Sequence, residues 1–343
     1  MAEPTKKALA WAIFDRIVAT AATTGRYSDG PWAGDDYTPD FETLQQLLGV
    51  PLHLKASSQS GVPALALDVW VAYELRRSGF KPDAVWPRAE HPRVMPGPIS
   101  RLLPQLARIP RAAVEKKVTQ TTPPAGVVAT SANILGGLYV KQVDVVMSAW
   151  DTGPELLIST KRMDSSFGKN AANRIEESFG DARNLRTRHP LAALGFLYGL
   201  RSTILDSEPE KAKWLIDLLA KLSTGDNAYD AACLLMLSYD VDPPADSDGG
   251  HGDEDDAAVA EVLDDATTDD ADDAAPEGVE SERLEAEIAN LPMVRLLHDE
   301  VPPELQVGPF LKAMVEGVLR ATPVNMHIDA RKLRGWPVAD PRI

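Results

Sequence analysis

The chain has one cysteine, Cys233, in 343 residues. That scarcity excludes an intrachain disulfide and any cysteine-based zinc cage. Long apolar runs are missing as well: none reaches the ~18 residues that a membrane span needs. The start, Met1–Lys7 followed by an amphipathic stretch with Asp15 and Arg16, is unlike an export signal. No Gly-x4-Gly-Lys-Ser/Thr phosphate loop occurs, which argues against an ATPase or helicase. The six histidines lack metal-ligand spacing, and His189 stands before Pro190 at an expected helix end. Aromatic residues are few, 6%, and scattered, so no single-strand stacking platform can be argued. These absences leave a soluble, cytoplasmic chain with no membrane partner as the expectation. Cys233, within the apolar run Ala231–Leu237, reads as a packing residue.

Basic excess is lacking too, since the formal net charge is −16. The charge is uneven, however. Between Asp240 and Glu282 lie 18 acidic residues and no Lys or Arg. Setting these aside leaves 33 acidic against 35 basic residues, so the global balance does not exclude DNA as a partner. The acidic stretch has no aromatic residue and few apolar ones, so it cannot bury enough surface to offset its ordering entropy. It reads as a solvated linker, or alternatively as a DNA-mimicking segment competing for a basic cleft.

What is present is an alternation of helical and strand-like stretches, which predicts an α/β fold with helices on both sides of a central mixed β-sheet. Val62–Ser78 is helical by the spacing of Leu67, Trp70 and Val71, with Gly79 as its stop. Val127–Ala132 is a short strand candidate and Leu138–Trp150 a β-branched strand. Asp151–Pro154 has turn chemistry, and Glu155–Met163 reads as the second arm of a hairpin. A polar helix is expected over Ala171–Arg188. Leu191–Leu205 is apolar throughout, a buried strand or a buried helix. Lys211–Ser223, Asn227–Ser238, Ser281–Leu297 and Val307–Thr322 look helical. Gly136-Gly137 marks a tight turn or close backbone approach. The expected divisions are a helical segment over 1–60, a core over 61–239, the acidic linker over 240–282 and a helical segment with a basic tail over 283–343.

Three features point to one site. Asp144 is a carboxylate in an otherwise apolar strand, and burying one costs several kcal/mol unless it is paired or binds a cation. Lys161 ends the next strand, where alternation puts Glu155, Leu157, Ser159 and Lys161 on one face, so a hairpin brings Ser159 and Lys161 beside Asp144. Glu74 shares the apolar side of the Val62–Ser78 helix. Plainer readings stand beside these: a cross-strand ion pair for Asp144 and Lys161, and a partner for Arg77 in the case of Glu74.

A strand-borne Asp, a turn and a strand carrying Lys resembles the PD-(D/E)xK nucleases. Here Asp144 is followed by fourteen residues and then Ser159-Thr160-Lys161. The run LLISTKRMDSSFGKNAANRIEESFGDARNLRTRHPLAALGF is similar to bacterial restriction-endonuclease-like proteins. The resemblance spans about Val62 to Leu205. It implies a restriction-endonuclease-like core with additional helical segments at both ends of the chain, and hydrolysis of double-stranded DNA with Mg²⁺ held by Asp144 and Glu74. Lys161 would position or deprotonate the attacking water, and Ser159 would add a neutral oxygen. A restriction role further implies a homodimer and a cognate DNA methyltransferase. The departure is Ser159, where the family carries an acidic ligand. Either a carboxylate from a helix (Glu74, Glu176 or Glu177) replaces it, or the chain is a catalytically inactive nuclease-like DNA-binding subunit of a defence or repair complex.

DNA contact is expected from the basic stretch after Lys161, namely Arg162, Lys169, Arg174, Arg183, Arg186 and Arg188, with the amides of Asn170, Asn173 and Asn184. Arg101, Arg108, Arg111, Lys116 and Lys117 form a second basic stretch. Taken alone, each stretch reads equally well as a solubilising face.

Overall fold

The computed structural model describes residues 5–120, 124, 127–129, 131–165, 167, 169–224, 229–241 and 281–339. Most of the expected acidic linker therefore lies outside the described residues. In chain order the main elements are α1 (Lys6–Ala21), α2 (Phe41–His53), α3 (Val62–Arg77), β1 (Val85–Trp86), α4 (Arg108–Val118), β2 (Ala132–Leu135), β3 (Val140–Val143), β4 (Val145–Ala149) and β5 (Gly153–Met163). They continue with α5 (Lys169–Arg188), β6 (Ala193–Arg201), α6 (Pro209–Lys221), β7 (Ala231–Ser238), α7 (Ser281–Ala289), β8 (Arg295–Leu296), α8 (Val307–Ala321) and α9 (Ile328–Arg334).

The helices begin where local chemistry satisfies their first N–H groups. Thr5 accepts from the Ala8 amide to open α1, and Asp40 accepts from Thr43 to open α2. Helix α3 starts behind Gly61, whose φ of 67° suits glycine, with Pro63 in its first turn where no amide donor is needed.

Six strands form a mixed sheet in the order β8-β7-β6-β5-β4-β1. β4 and β5 pair antiparallel as the predicted hairpin, whereas β5, β6 and β7 run parallel. Parallel neighbours need crossovers, which α5 and α6 provide. The sheet is covered on both faces. Leu156 and Ile158 of β5 join one apolar core with residues of α1, α2, α3 and α8. Leu157 joins the other, with residues of α5 and α6. The two ends of the chain thus pack on the same face of the sheet.

Several expectations shift. The Leu138–Trp150 strand breaks at Asp144: β3 pairs with β2 in a separate hairpin, and β4 enters the main sheet. The short strand lies at Ala132–Leu135, not Val127–Ala132. Leu191–Leu205 resolves as strand β6 followed by one helical turn. Asn227–Ser238 is not helical where described; Ala231–Ser238 is strand β7, whose apolar run carries no period because both faces are covered. The expected Ser281–Leu297 helix stops at Ala289. Cys233 is buried in β7, and burial pushes its thiol up, as suits a packing residue. Among the described residues, no helix is long and apolar enough to cross a membrane.

Candidate active site

Asp144 sits at the joint where the chain leaves the β2–β3 hairpin and enters the main sheet. Since Val145 pairs with Ile158, the ladder between β4 and β5 ends there, and the last half of β5 runs on without that neighbour. The Asp144 carboxylate takes up the next free donor: the Thr160 amide donates to its Oδ2 at 2.8 Å. Strand pleating then sends Thr160 and Lys161 to opposite faces. The Thr160 hydroxyl donates to Asp68 on α3. Lys161 lies opposite Tyr198 of β6 in the parallel register.

The charges of these groups act on one another. Burial holds the Asp68 carboxyl well above the usual carboxylate range, and the Asp144 charge raises it further. The Thr160 hydrogen bond and the ammonium groups of Lys161 and Lys7, the latter at the start of α1, oppose that rise. Tyr198 is pushed up to about 12 by burial, against the pull of Arg174 and Lys161. Ser159, also buried, shares its side of the sheet with Tyr229. Burial raises that phenol, and the charges of Asp181 and Asp144 add to the effect.

The chain path brings Asp144 to Thr160, the residue between Ser159 and Lys161, whereas Glu74 lies elsewhere. It is six residues from Asp68 on α3, about 9 Å along the axis and some 240° around it at ~1.5 Å and ~100° per residue. Glu74 is fully buried, with the Arg77 guanidinium at 2.9 Å, the Asp40 amide donating at 2.6 Å and the Tyr37 hydroxyl at 3.0 Å. Burial raises its carboxyl and Arg77 counters. Its place is that of the Arg77 partner, and Asp68 is the helix carboxylate that faces the strand pair. Sequence reasoning passed over Asp68, although it carries the same signal as Asp144, an acid inside the apolar run VPALALDVWV. Glu176 and Glu177 point outward from α5.

The expected DNA contacts divide in the same way. Arg162 is buried, bonded to Asp164 at 3.0 Å and to the Pro63 carbonyl at 3.4 Å, so it ties β5 to the start of α3 and is no surface contact. Arg186 bridges Asp230 at 2.8 Å and the Ala192 carbonyl at 2.9 Å. Asn184 is buried beneath the β2–β3 turn, bonded to its backbone. Arg174 is half-buried, donating to the Arg162 carbonyl at 3.4 Å. Asn173, Arg183 and Arg188 are exposed on α5. Lys169 and Asn170 open that helix, but their side chains lie outside the described residues.

Among the described residues no group of three His, Cys, Asp or Glu is placed to hold a metal ion. The donor set at this site is the pair Asp68 and Asp144. Two carboxylates with one of them buried make an environment that a cation stabilises, and oxygen donors suit a hard one such as Mg²⁺. Comparison with protein-family models, curated proteins and solved structures finds no match to this chain.

Proposed function

We propose that the chain is a Mg²⁺-dependent endodeoxyribonuclease of the PD-(D/E)xK type acting on double-stranded DNA. The observation that carries this reading is that a single residue at the end of β5, Thr160, holds two carboxylates, Asp144 through its backbone amide and Asp68 through its hydroxyl, with Lys161 next in the strand and its charge acting on Asp68. Asp68 supplies from helix α3 the second carboxylate that Ser159 lacks. The arrangement of three meandering strands, a crossover helix and a parallel fourth strand is compatible with such a core.

The roles follow from the side chains. Asp68 and Asp144 would hold the cation. When bound there, Mg²⁺ supplies electrostatic stabilisation to the phosphate oxygens. The Lys161 ammonium orients the attacking water and meets the charge that develops on the phosphate. Thr160 fixes both carboxylates, so their orientation is set before substrate arrives. A restriction role, with a homodimer and a cognate methyltransferase, rests on the family resemblance.

The test is incubation of the purified protein with unmethylated plasmid and phage DNA, with Mg²⁺, Mn²⁺ or EDTA, beside Asp144→Ala and Lys161→Ala. Metal-dependent cleavage lost in both variants supports the site, and discrete fragments support sequence specificity. A second reading, a catalytically silent DNA-binding subunit, is favoured by the buried Ser159 where the family carries an acidic ligand. DNA binding by the wild type without cleavage under either metal would select it.

A further inference from the structure

The turn joining β2 to β3 is a four-residue loop, Gly136-Gly137-Leu138-Tyr139, built to stand rigidly on α5. The Gly136 amide closes it onto the Tyr139 carbonyl at 2.8 Å. Asn184 Oδ1 accepts from the Leu138 amide at 2.7 Å and the Tyr139 amide at 3.2 Å, and Nδ2 donates to the Tyr139 carbonyl at 3.1 Å. The Gly137 amide donates to the Asn184 carbonyl at 2.8 Å. A Cβ at Gly136 would come within 2.2 Å of Asn184, and one at Gly137 within 2.8 Å of Thr187, so the close approach requires both glycines. The Tyr139 hydroxyl and Lys141 anchor on Asp181 at 2.8 and 3.0 Å.

All this order presents an apolar side chain to solvent. Leu138 is 86% exposed, with Leu135 and Tyr139 partly exposed beside it. Single exposed leucines need no explanation, but one held on a fixed tip next to cations does. Arg183 lies one helical turn before Thr187, and Arg188 directly follows it, both exposed. The arm Val140–Val143 runs straight from the tip to Asp144, on the order of 15–20 Å at ~3.3 Å per residue. That reach is about five base pairs of duplex at ~3.4 Å each.

We propose that Leu138 is a wedge that enters a base step of duplex DNA, with Arg183 and Arg188 on the flanking phosphates, about five base pairs from the bond that Asp144 faces. The inference rests on the nuclease reading above. Apolar side chains inserted between base pairs kink the duplex at a cost of a few kcal/mol per unstacked step. A rigid hairpin keeps the wedge from losing further freedom on insertion.

The experiment measures binding of the full chain, in EDTA so that nothing is cut, to a matched 30-base-pair duplex and to the same duplex with one unpaired base. 2-Aminopurine beside that base reports unstacking. The wild type is expected to bind the bulged duplex about tenfold more tightly, since the unstacking cost is already met. Leu138→Ala should reduce that preference to below about twofold and lose the fluorescence rise. Trp150→Ala, at the equally exposed β4–β5 turn, should keep both. Arg183→Ala with Arg188→Ala should weaken both duplexes alike and flatten the salt dependence by about 0.9 for each phosphate no longer neutralised. Equal preference in wild type and Leu138→Ala overturns the wedge, whatever else meets the tip. The nuclease reading fails separately, by absence of Mg²⁺- or Mn²⁺-dependent cleavage. No binding of the wild type to either duplex, in EDTA or with Ca²⁺ in its place, overturns the wedge.

Discussion

Helix α3 carries two buried carboxylates in contrasting surroundings. Glu74 has a guanidinium, a backbone amide and a phenol, which together compensate its desolvation. Asp68 accepts from one hydroxyl and has the like charge of Asp144 nearby, with the ammonium groups of Lys161 and Lys7 opposing it. Both carboxyls are raised by burial, so burial alone does not separate them. The partners do. An acid whose bonds are complete holds the fold together, whereas an acid set against another acid is the one that the proposed cation would relieve.

That contrast can be broken by substitution, and the largest effect belongs to the chemistry. Asp144→Asn should lower metal-dependent cleavage by about 10²–10³-fold, the usual loss when charge stabilisation is removed from a site. A steady-state plasmid-nicking assay reads it. Glu74→Gln should act on stability instead, because it leaves Arg77 buried without its counter-charge. A loss of about 3 kcal/mol, read as a drop in the denaturant midpoint, is expected. Divalent ions sharpen the comparison: Ca²⁺ or Mg²⁺ at ~100 times its dissociation constant should stabilise the wild type by about 2.7 kcal/mol. Asp68→Asn and Asp144→Asn should abolish that gain, and Glu74→Gln should retain it. The smallest expected effect is the stability of Asp68→Asn without metal. Replacing an acid that burial and Asp144 both disfavour as an anion, while keeping the Thr160 hydrogen bond, should raise the thermal midpoint by one to two degrees, about 1 kcal/mol.

The β4–β5 hairpin was legible because a hairpin has local rules, alternation and a turn, and these bring Asp144 to the residue before Lys161. The helix carboxylate was harder to assign. Glu74 and Asp68 both lie in the apolar run, and helical spacing cannot tell which of two buried acids meets an arginine and which meets a strand. Arg77, three residues after Glu74, was the available clue. Arg162 misled because a basic stretch reads as surface, while strand alternation turns this residue towards α3. Strand β7 misled because a run apolar on both faces carries no period. The Gly136-Gly137 pair was legible as close approach, but its partner Asn184 lies 47 or more residues away and could be found only in three dimensions.

The most direct test of the central claim is isothermal titration of Mg²⁺ and Ca²⁺ into wild type, Asp68→Asn and Glu74→Gln, each with its cleavage rate measured in parallel. Wild-type binding and cleavage that disappear in folded Asp68→Asn and survive in Glu74→Gln is the predicted result. Metal binding and cleavage unchanged in Asp68→Asn but lost in a folded Glu74→Gln would contradict the assignment of the site to Asp68 and Asp144.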